Sequence, residues 1–241
     1  VIMSDCDVIC NVDFNDMIEY HKKTGADMTV AVKNVNLTKE KAKNSTIYHS
    51  DSEGRLTDIL AYPSDFEGNA DISLNIVVMN TSYLRKIVLD AIAHNYVSLT
   101  RDIISKNIGR MNYRVYKYDG YFACISSFGD YYAHSMELLK NRDAKDSIFN
   151  VKNRPVYTKV RNSNPAYYSS TSAVKNSMVA DGCYVEGTVE NSILFRGVKV
   201  GRNTTVKNSI IMQDTVIGEG AFLNCVITDK NAVIRDGIML C

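Results

Sequence analysis

Between Val174 and Val233 the chain repeats itself every 15 to 17 residues, a period that neither an isolated helix nor an ordinary sheet leaves in a sequence. Three aliphatic series interleave: Val174, Val189, Val206, Leu223; Val179, Leu194, Ile211, Ile227; and Val185, Val200, Ile217, Val233. The dipeptides Asn176-Ser177, Asn191-Ser192 and Asn208-Ser209, then Asn224-Cys225, recur beside them. Three inward aliphatic positions per coil describe a triangular prism with one buried side chain per wall, the pattern of a hexapeptide parallel β-helix. One coil cannot cover its own apolar face, so about four must stack and bury each series as a ladder. The asparagines are expected to stack as well, each amide bonding the next at a corner.

The 241 residues upstream and within this prism allow one or two domains. Their balance is that of an ordinary globular protein, and a net charge of +1 gives no electrostatic reason to expect nucleic acid or an anionic membrane. No apolar run approaches the ~20 residues of a membrane span. The six cysteines form no CxxC pair, which fits reduced thiols in a cytoplasmic protein; Cys6 and Cys10 lack the companions of a metal site. Val1-Ile2-Met3 reads as the middle of a buried strand, so a longer protein with more chain before Val1 is expected.

Residues 1–150 alternate helical and strand patterns. Asp13 or Asn15 caps a helix to about Lys23, with Gly25 just beyond its end. Met28–Lys33 is a strand, and Thr46–Ser50 with Arg55–Tyr62 flank a turn at Asp51-Ser52-Glu53-Gly54. A strand at 72–79, helices at 82–94 and 100–106, a strand at 113–118 and a helix at 127–139 follow. Such alternation predicts an α/β domain over 1–150 with a parallel or mixed sheet. Residues 151–170, with Pro155 and Pro165 among Asn, Ser and Tyr, form a linker, and 171–241 the prism. Tyr131-Tyr132 and Tyr167-Tyr168 lack a basic surround and are read as packing residues.

An α/β domain binds ligands at strand ends, and the first of these is Ser4-Asp5-Cys6-Asp7. A carboxylate there either holds a divalent cation or only caps the turn. Here the residues carry a resemblance. Asp7 with Asp13-Phe14, His21 with Gly25-Ala26-Asp27-Met28-Thr29, Asp102-Ile103-Ile104, Gly120-Tyr121-Phe122, Pro155-Val156-Tyr157-Thr158 and the whole repeat resemble the bacterial glucose-1-phosphate adenylyltransferases, or ADP-glucose pyrophosphorylases. The resemblance implies an incomplete, Rossmann-like nucleotidyltransferase domain followed by a left-handed parallel β-helix. It also implies ATP and glucose 1-phosphate as family substrates, Mg²⁺ as family cofactor, and a Gly-rich nucleotide loop that nothing here matches.

The departures from the family pattern fall on its chemistry. The position of the second metal ligand holds Cys124, and a thiol is a poor partner for Mg²⁺, which leaves Asp7 as the one metal-ligand candidate. The family's Glu-Lys-Pro, whose lysine grips the sugar phosphate, corresponds to Ala61-Tyr62-Pro63. Its Ser-Met-Gly corresponds to Ser73-Leu74-Asn75, and the His after the first Asp has become Val8. Asp7, Ala61, Tyr62, Ser73, Asn75 and Cys124 therefore outline a degenerate substrate pocket. Stabilising a transferring phosphoryl group depends on such cations and metals, so several losses together imply a weak or inactive site. By resemblance this is the D-type, non-catalytic or regulatory subunit, partnered by a catalytic homologue in a heterotetramer or in a homo-oligomer.

Three other readings stand beside it. An active adenylyltransferase would need another carboxylate, such as Asp5, to replace the lost ligand; two apart on a strand, Asp5 and Asp7 would share a face. A hexapeptide acyltransferase needs a histidine base between coils. The four histidines, at 21, 49, 94 and 134, all precede the prism, which argues against that chemistry. A pure assembly module would use the flat walls and open edge of the prism, where the partner interface is expected. Lys175, Arg196, Lys199, Arg202 and Lys207 on the prism read as solvated corners.

Overall fold

A computed structural model describes all 241 residues, which group into two compact units, Val1–Cys124 and Ile125–Cys241. The first is a mixed sheet between helices. Its elements are β1 (Ile2–Ser4), β2 (Val8–Cys10), α1 (Phe14–Lys23), β3 (Met28–Leu37), α2 (Lys39–Ala42), β4 (Thr46–Ser50), β5 (Leu56–Ala61), β6 (Gly68–Met79), α3 (Thr81–His94), α4 (Ser105–Asn107), β7 (Tyr113–Lys117) and β8 (Phe122–Cys124). Strand order is β5-β4-β6-β3-β7, with β1 also paired to β6. Only β3 and β7 run parallel; the other pairs of this sheet are antiparallel, and a separate two-stranded β2–β8 ribbon lies beside it.

The run Met28-Thr29-Val30-Ala31-Val32 is buried at every position because helices cover both faces of the sheet. Met28, Val30 and Val32 pack with Tyr83 and Ile87 of α3. Ala31 packs on the other face with Met17 of α1 and with Leu74, Ile76 and Val78 of β6. Asp13 is the N-cap of α1, accepting the N–H groups of Asn15 and Asp16, and Gly25 takes a positive φ just past its end. The expected helix at 100–106 is instead a π-helical turn over Leu99–Ile104 followed by the single turn of α4. Its wide turn is stabilised by the Asp102 carboxylate, which accepts the N–H groups of Val97 and Ser98.

The second unit opens with α5 (Phe128–Lys140) and α6 (Arg142–Phe149). Both group with the prism rather than with the sheet. The Tyr132 hydroxyl of α5 donates to the Asn208 carbonyl at a prism corner, 2.7 Å away. Helix α6 stands where the sequence periodicity fades. Asn141 caps it through the N–H groups of Asp143 and Ala144, and only Ala144 and Ile148 are buried, an i, i+4 pair too sparse to read as a period.

Residues 167–240 form a parallel β-helix of about four coils, with three walls of stacked short strands. Its register differs from the sequence reading in the last coil. Along the first wall Val174, Val189, Val206, Leu223 and Leu240 stack, at spacings of 15, 17, 17 and 17. The second ladder ends in Thr228, not Ile227, and the third in Ile234, not Val233. Each inward position is reached after 5, 6 and then 6 residues, except that only four separate Val185 from Val189. Two residues are missing at that corner, and Gly187 lies there. A Cβ on Gly187 would stand 2.4 Å from the Thr204 carbonyl oxygen, so the shortened corner needs glycine against the longer corner stacked on it.

The Asn-Ser pairs divide two tasks. Asn176, Asn191 and Asn208 take left-handed φ and turn the corner; Cys225, not Asn224, does so in the next coil. Asn176 donates to the Asn191 side chain at 2.7 Å and Asn208 to that of Asn224 at 2.9 Å. The serines make the continuous ladder. Ser177, Ser192 and Ser209 accept the N–H groups of Ser192, Ser209 and Val226 in turn, and each donates to the carbonyl two residues before it. Thr228, standing in an aliphatic ladder, is satisfied by the Met212 N–H at 3.0 Å. Ser209→Ala leaves the Val226 N–H without its partner inside a buried stack, while the Lys207 carbonyl keeps only the Cys225 N–H. A loss of about 1–3 kcal/mol in urea unfolding of the full chain is expected.

Candidate functional site

Asp7 lies in the bend between β1 and β2 rather than on a strand, so the alternation that would align it with Asp5 does not operate. The antiparallel β2–β8 pair sets Val8 opposite Cys124 and brings the thiol to the carboxylate. Cys124 Sγ donates to Asp7 Oδ2 over 3.9 Å, while Asp7 Oδ1 is buried with no hydrogen-bond partner. Asp5 is exposed, and its backbone N–H donates to the Asn75 carbonyl at 3.2 Å. No group of three or more His, Cys, Asp or Glu side chains assembles here or elsewhere in the chain.

The turn into β8 is built for close packing. A Cβ on Gly120 would meet the Tyr118 hydroxyl at 2.2 Å, so only glycine lets the chain pass over that ring. The Tyr118 hydroxyl donates to the Tyr121 carbonyl and accepts the Asn11 N–H, tying the turn to the start of α1.

The remaining pocket candidates lie on the sheet. Ala61 ends β5 opposite Thr46. Tyr62 follows with φ 53°, its N–H donating to the Ser45 carbonyl and its ring 66% exposed. On β6 the Ser73 hydroxyl donates to Asn75 Oδ1 at 3.1 Å and accepts the Asn75 N–H at 3.0 Å. Asn75 thereby holds a φ of 53° at the strand's irregularity opposite Val30 and Val32. Tyr48 of β4, which the sequence reading did not single out, reaches the same place. Burial pushes its phenol up, and hydrogen bonding with Ser73 and Thr100 partly offsets that. Its alternating hairpin strand carried no sign of that role. Tyr48, Ser73 and Asn75, and the exposed Tyr62 after β5, are all neutral side chains.

Two further segments quoted for the resemblance are structural. His21 is buried, its Nδ1 2.8 Å from the Thr29 hydroxyl and its Nε2 3.4 Å from Asn80 Oδ1; burial pushes its pKa down. Asp27 accepts the Asn112 N–H, and the Asn112 amide donates to the carbonyls of Thr24 and Gly25.

A mixed α/β sheet leading into a hexapeptide prism, with a carboxylate at its first strand end, is the build of the sugar-phosphate nucleotidyltransferases. Residues 164–240 match the family model described as GlmU-like, C-terminal hexapeptide. Over 233 residues, 97% of the chain, it is 34% identical to the glycogen biosynthesis protein GlgD of Bacillus subtilis. It is 30% and 31% identical, over 85% of its length, to the glucose-1-phosphate adenylyltransferases of Thermosipho africanus and Halalkalibacterium halodurans. Over nearly its whole length the chain is similar to these glucose-1-phosphate adenylyltransferase relatives. It spans about half the length of these curated relatives: 57%, 49% and 53%. No helix is long and apolar enough to cross a membrane.

Proposed function

We propose that this chain is a subunit of an ADP-glucose pyrophosphorylase assembly in bacterial glycogen biosynthesis, in the cytoplasm, and that its own site is degenerate. It acts by tuning a catalytic homologue that converts ATP and glucose 1-phosphate to ADP-glucose and diphosphate. The carrying observation is the Asp7–Cys124 pair: one carboxylate and one thiol 3.9 Å apart, with no third His, Cys, Asp or Glu grouped with them. Mg²⁺ requires oxygen ligands in near-octahedral array, and this donor set does not fit it. The neutral Tyr62 and Asn75 add no cation for a phosphate. A transferring phosphoryl group would then meet neither metal nor ammonium, which removes its main electrostatic stabilisation.

One observation favours a second reading, an active adenylyltransferase: the buried, unpartnered Asp7 Oδ1 is an oxygen that a cation would satisfy. The assay that separates the two is ADP-glucose formation by the full-length protein alone and by its mixture with an active homologue. Turnover alone many powers of ten below that of the homologue is expected, with a shift in the homologue's maximal rate or effector response on mixing. Turnover alone comparable to the homologue's refutes the degenerate site, and the absence of any shift on mixing refutes the regulatory role.

A further inference from the structure

The prism is open at its first coil. Its earliest strands, β9 (Tyr167–Tyr168) and β10 (Ala173–Lys175), are each terminal in their walls, with one side of the backbone unpaired. Their inward residues are uncovered. Tyr168 is 47% and Val174 38% exposed, whereas their partners one coil further in, Val185 and Val189, are fully buried. Just upstream, in the same compact unit, residues 155–163 make no backbone–backbone hydrogen bond and are all exposed, Tyr157 at 90%. Val156, Thr158 and Val160 alternate with Tyr157, Lys159 and Arg161, the two-residue period of a strand. Pro155, with no N–H to donate, stands where such a strand would begin.

The chain enters the coil register at Asn164. Its carbonyl accepts the Gly182 N–H at 2.6 Å, the same coil-to-coil bond that Asp181 makes with Gly197 at 3.2 Å and Arg196 with Asp214 at 2.9 Å. Tyr168 then pairs with Val185. Asn164 lies 17 residues before Asp181, and Tyr168 17 before Val185, the spacing that also separates Val189 from Val206 and Val206 from Leu223. Carried back by the same 17, Val156, Tyr157 and Thr158 fall on Ala173, Val174 and Lys175 of β10. Seven residues lead from Tyr157 to Asn164, as seven lead from Val174 to Asp181, so the connection needs neither insertion nor deletion.

We propose that residues 156–158 are a strap that closes on β10, adding a strand to the first wall and capping the open coil. The coils below give the bonds. The Asn191 N–H donates to the Lys175 carbonyl and the Ala173 N–H to the Gly187 carbonyl. By the same pattern the Val174 N–H donates to the Val156 carbonyl, the Thr158 N–H to the Val174 carbonyl and the Asn176 N–H to the Thr158 carbonyl. Tyr157 then covers Val174 as Tyr168 covers Val185. Burial of the ring favours closure, and the entropy of ordering the linker opposes it, so the segment acts as a strap rather than a fixed strand. Closure is independent of whether the chain turns over substrate.

The test is amide hydrogen exchange of the full chain, read residue by residue by NMR. In the parent, the Val174 and Asn176 amides should be protected although β10 is an edge strand. Thr158→Pro removes the N–H that bonds the Val174 carbonyl, and exchange at Val174 and Asn176 is expected to speed up about tenfold or more. Thr158→Val, which keeps that N–H, should leave the protection unchanged. Thr158 is exposed, and unaltered exchange at the buried Val206 checks that the prism of each variant is folded. Exchange at Val174 and Asn176 as fast as in an unpaired segment of the parent would overturn the proposal. So would equal protection in the parent and Thr158→Pro, or protection that grows with protein concentration and thereby assigns the edge to a second copy.

Discussion

Truncation of Leu194 to alanine is expected to destabilise the chain by about 2–5 kcal/mol, a large share of the roughly 5–15 kcal/mol that holds a domain folded. Leu194 is 1% exposed and stacks between Val179 and Ile211, so the cavity opens in the middle of a ladder rather than at its end. Coils of a solenoid are stabilised by their neighbours, and a void between two coils weakens both interfaces. The measurement is urea unfolding of the full chain, followed by circular dichroism. The same experiment tests the register of the last coil. Ile234 stacks under Ile217, whereas Val233 is 74% exposed. Ile234→Ala should therefore cost clearly more than Val233→Ala, for which a change within about 0.5 kcal/mol is expected. Equal losses at the two positions would contradict the observed register.

Replacing Cys124 with aspartate should create a magnesium response that the parent chain lacks. The β2–β8 pairing would hold the new carboxylate against Asp7, where the thiol now lies 3.9 Å from Oδ2. Without cation, two adjacent carboxylates repel and the variant should melt below the parent. With Mg²⁺ at tenfold excess over its dissociation constant, binding to the folded state should return about 1.4 kcal/mol. Thermal melts of parent and variant with and without Mg²⁺, and of the variant that also carries Asp7→Asn, make the comparison. A Mg²⁺ response in the parent, or none in the Cys124→Asp chain, would show that Cys124 is not what keeps the ion out.

The prism was legible because its period is written in residue type: an inward aliphatic every five or six residues, and asparagine at the corners. Its last coil was read one residue short because two cues there mislead. Asn224 mimics the corner asparagine whose place Cys225 takes, and a hydroxyl, Thr228, stands where an aliphatic was sought. The preceding ladder residues are apolar, and threonine fits there because its hydroxyl bonds the Met212 N–H and the Thr215 hydroxyl. Helix α6 was missed for the opposite reason: two buried residues leave too faint a stripe.

In the first unit, the sequence by itself determined the alternation of strands and helices and the positions of Asp7, Tyr62, Ser73, Asn75 and Cys124 relative to a family pattern. These are properties of residue type and spacing, which local backbone preference and resemblance expose directly. Tertiary structure alone decided that Asp7 sits in a bend, that Cys124 faces it, and that the Asp5 backbone is tied to Asn75. Each of these depends on which strands pair and in what register, and such pairings join residues as far apart as 7 and 124. No local period encodes a contact across that distance; the sheet that closes it does.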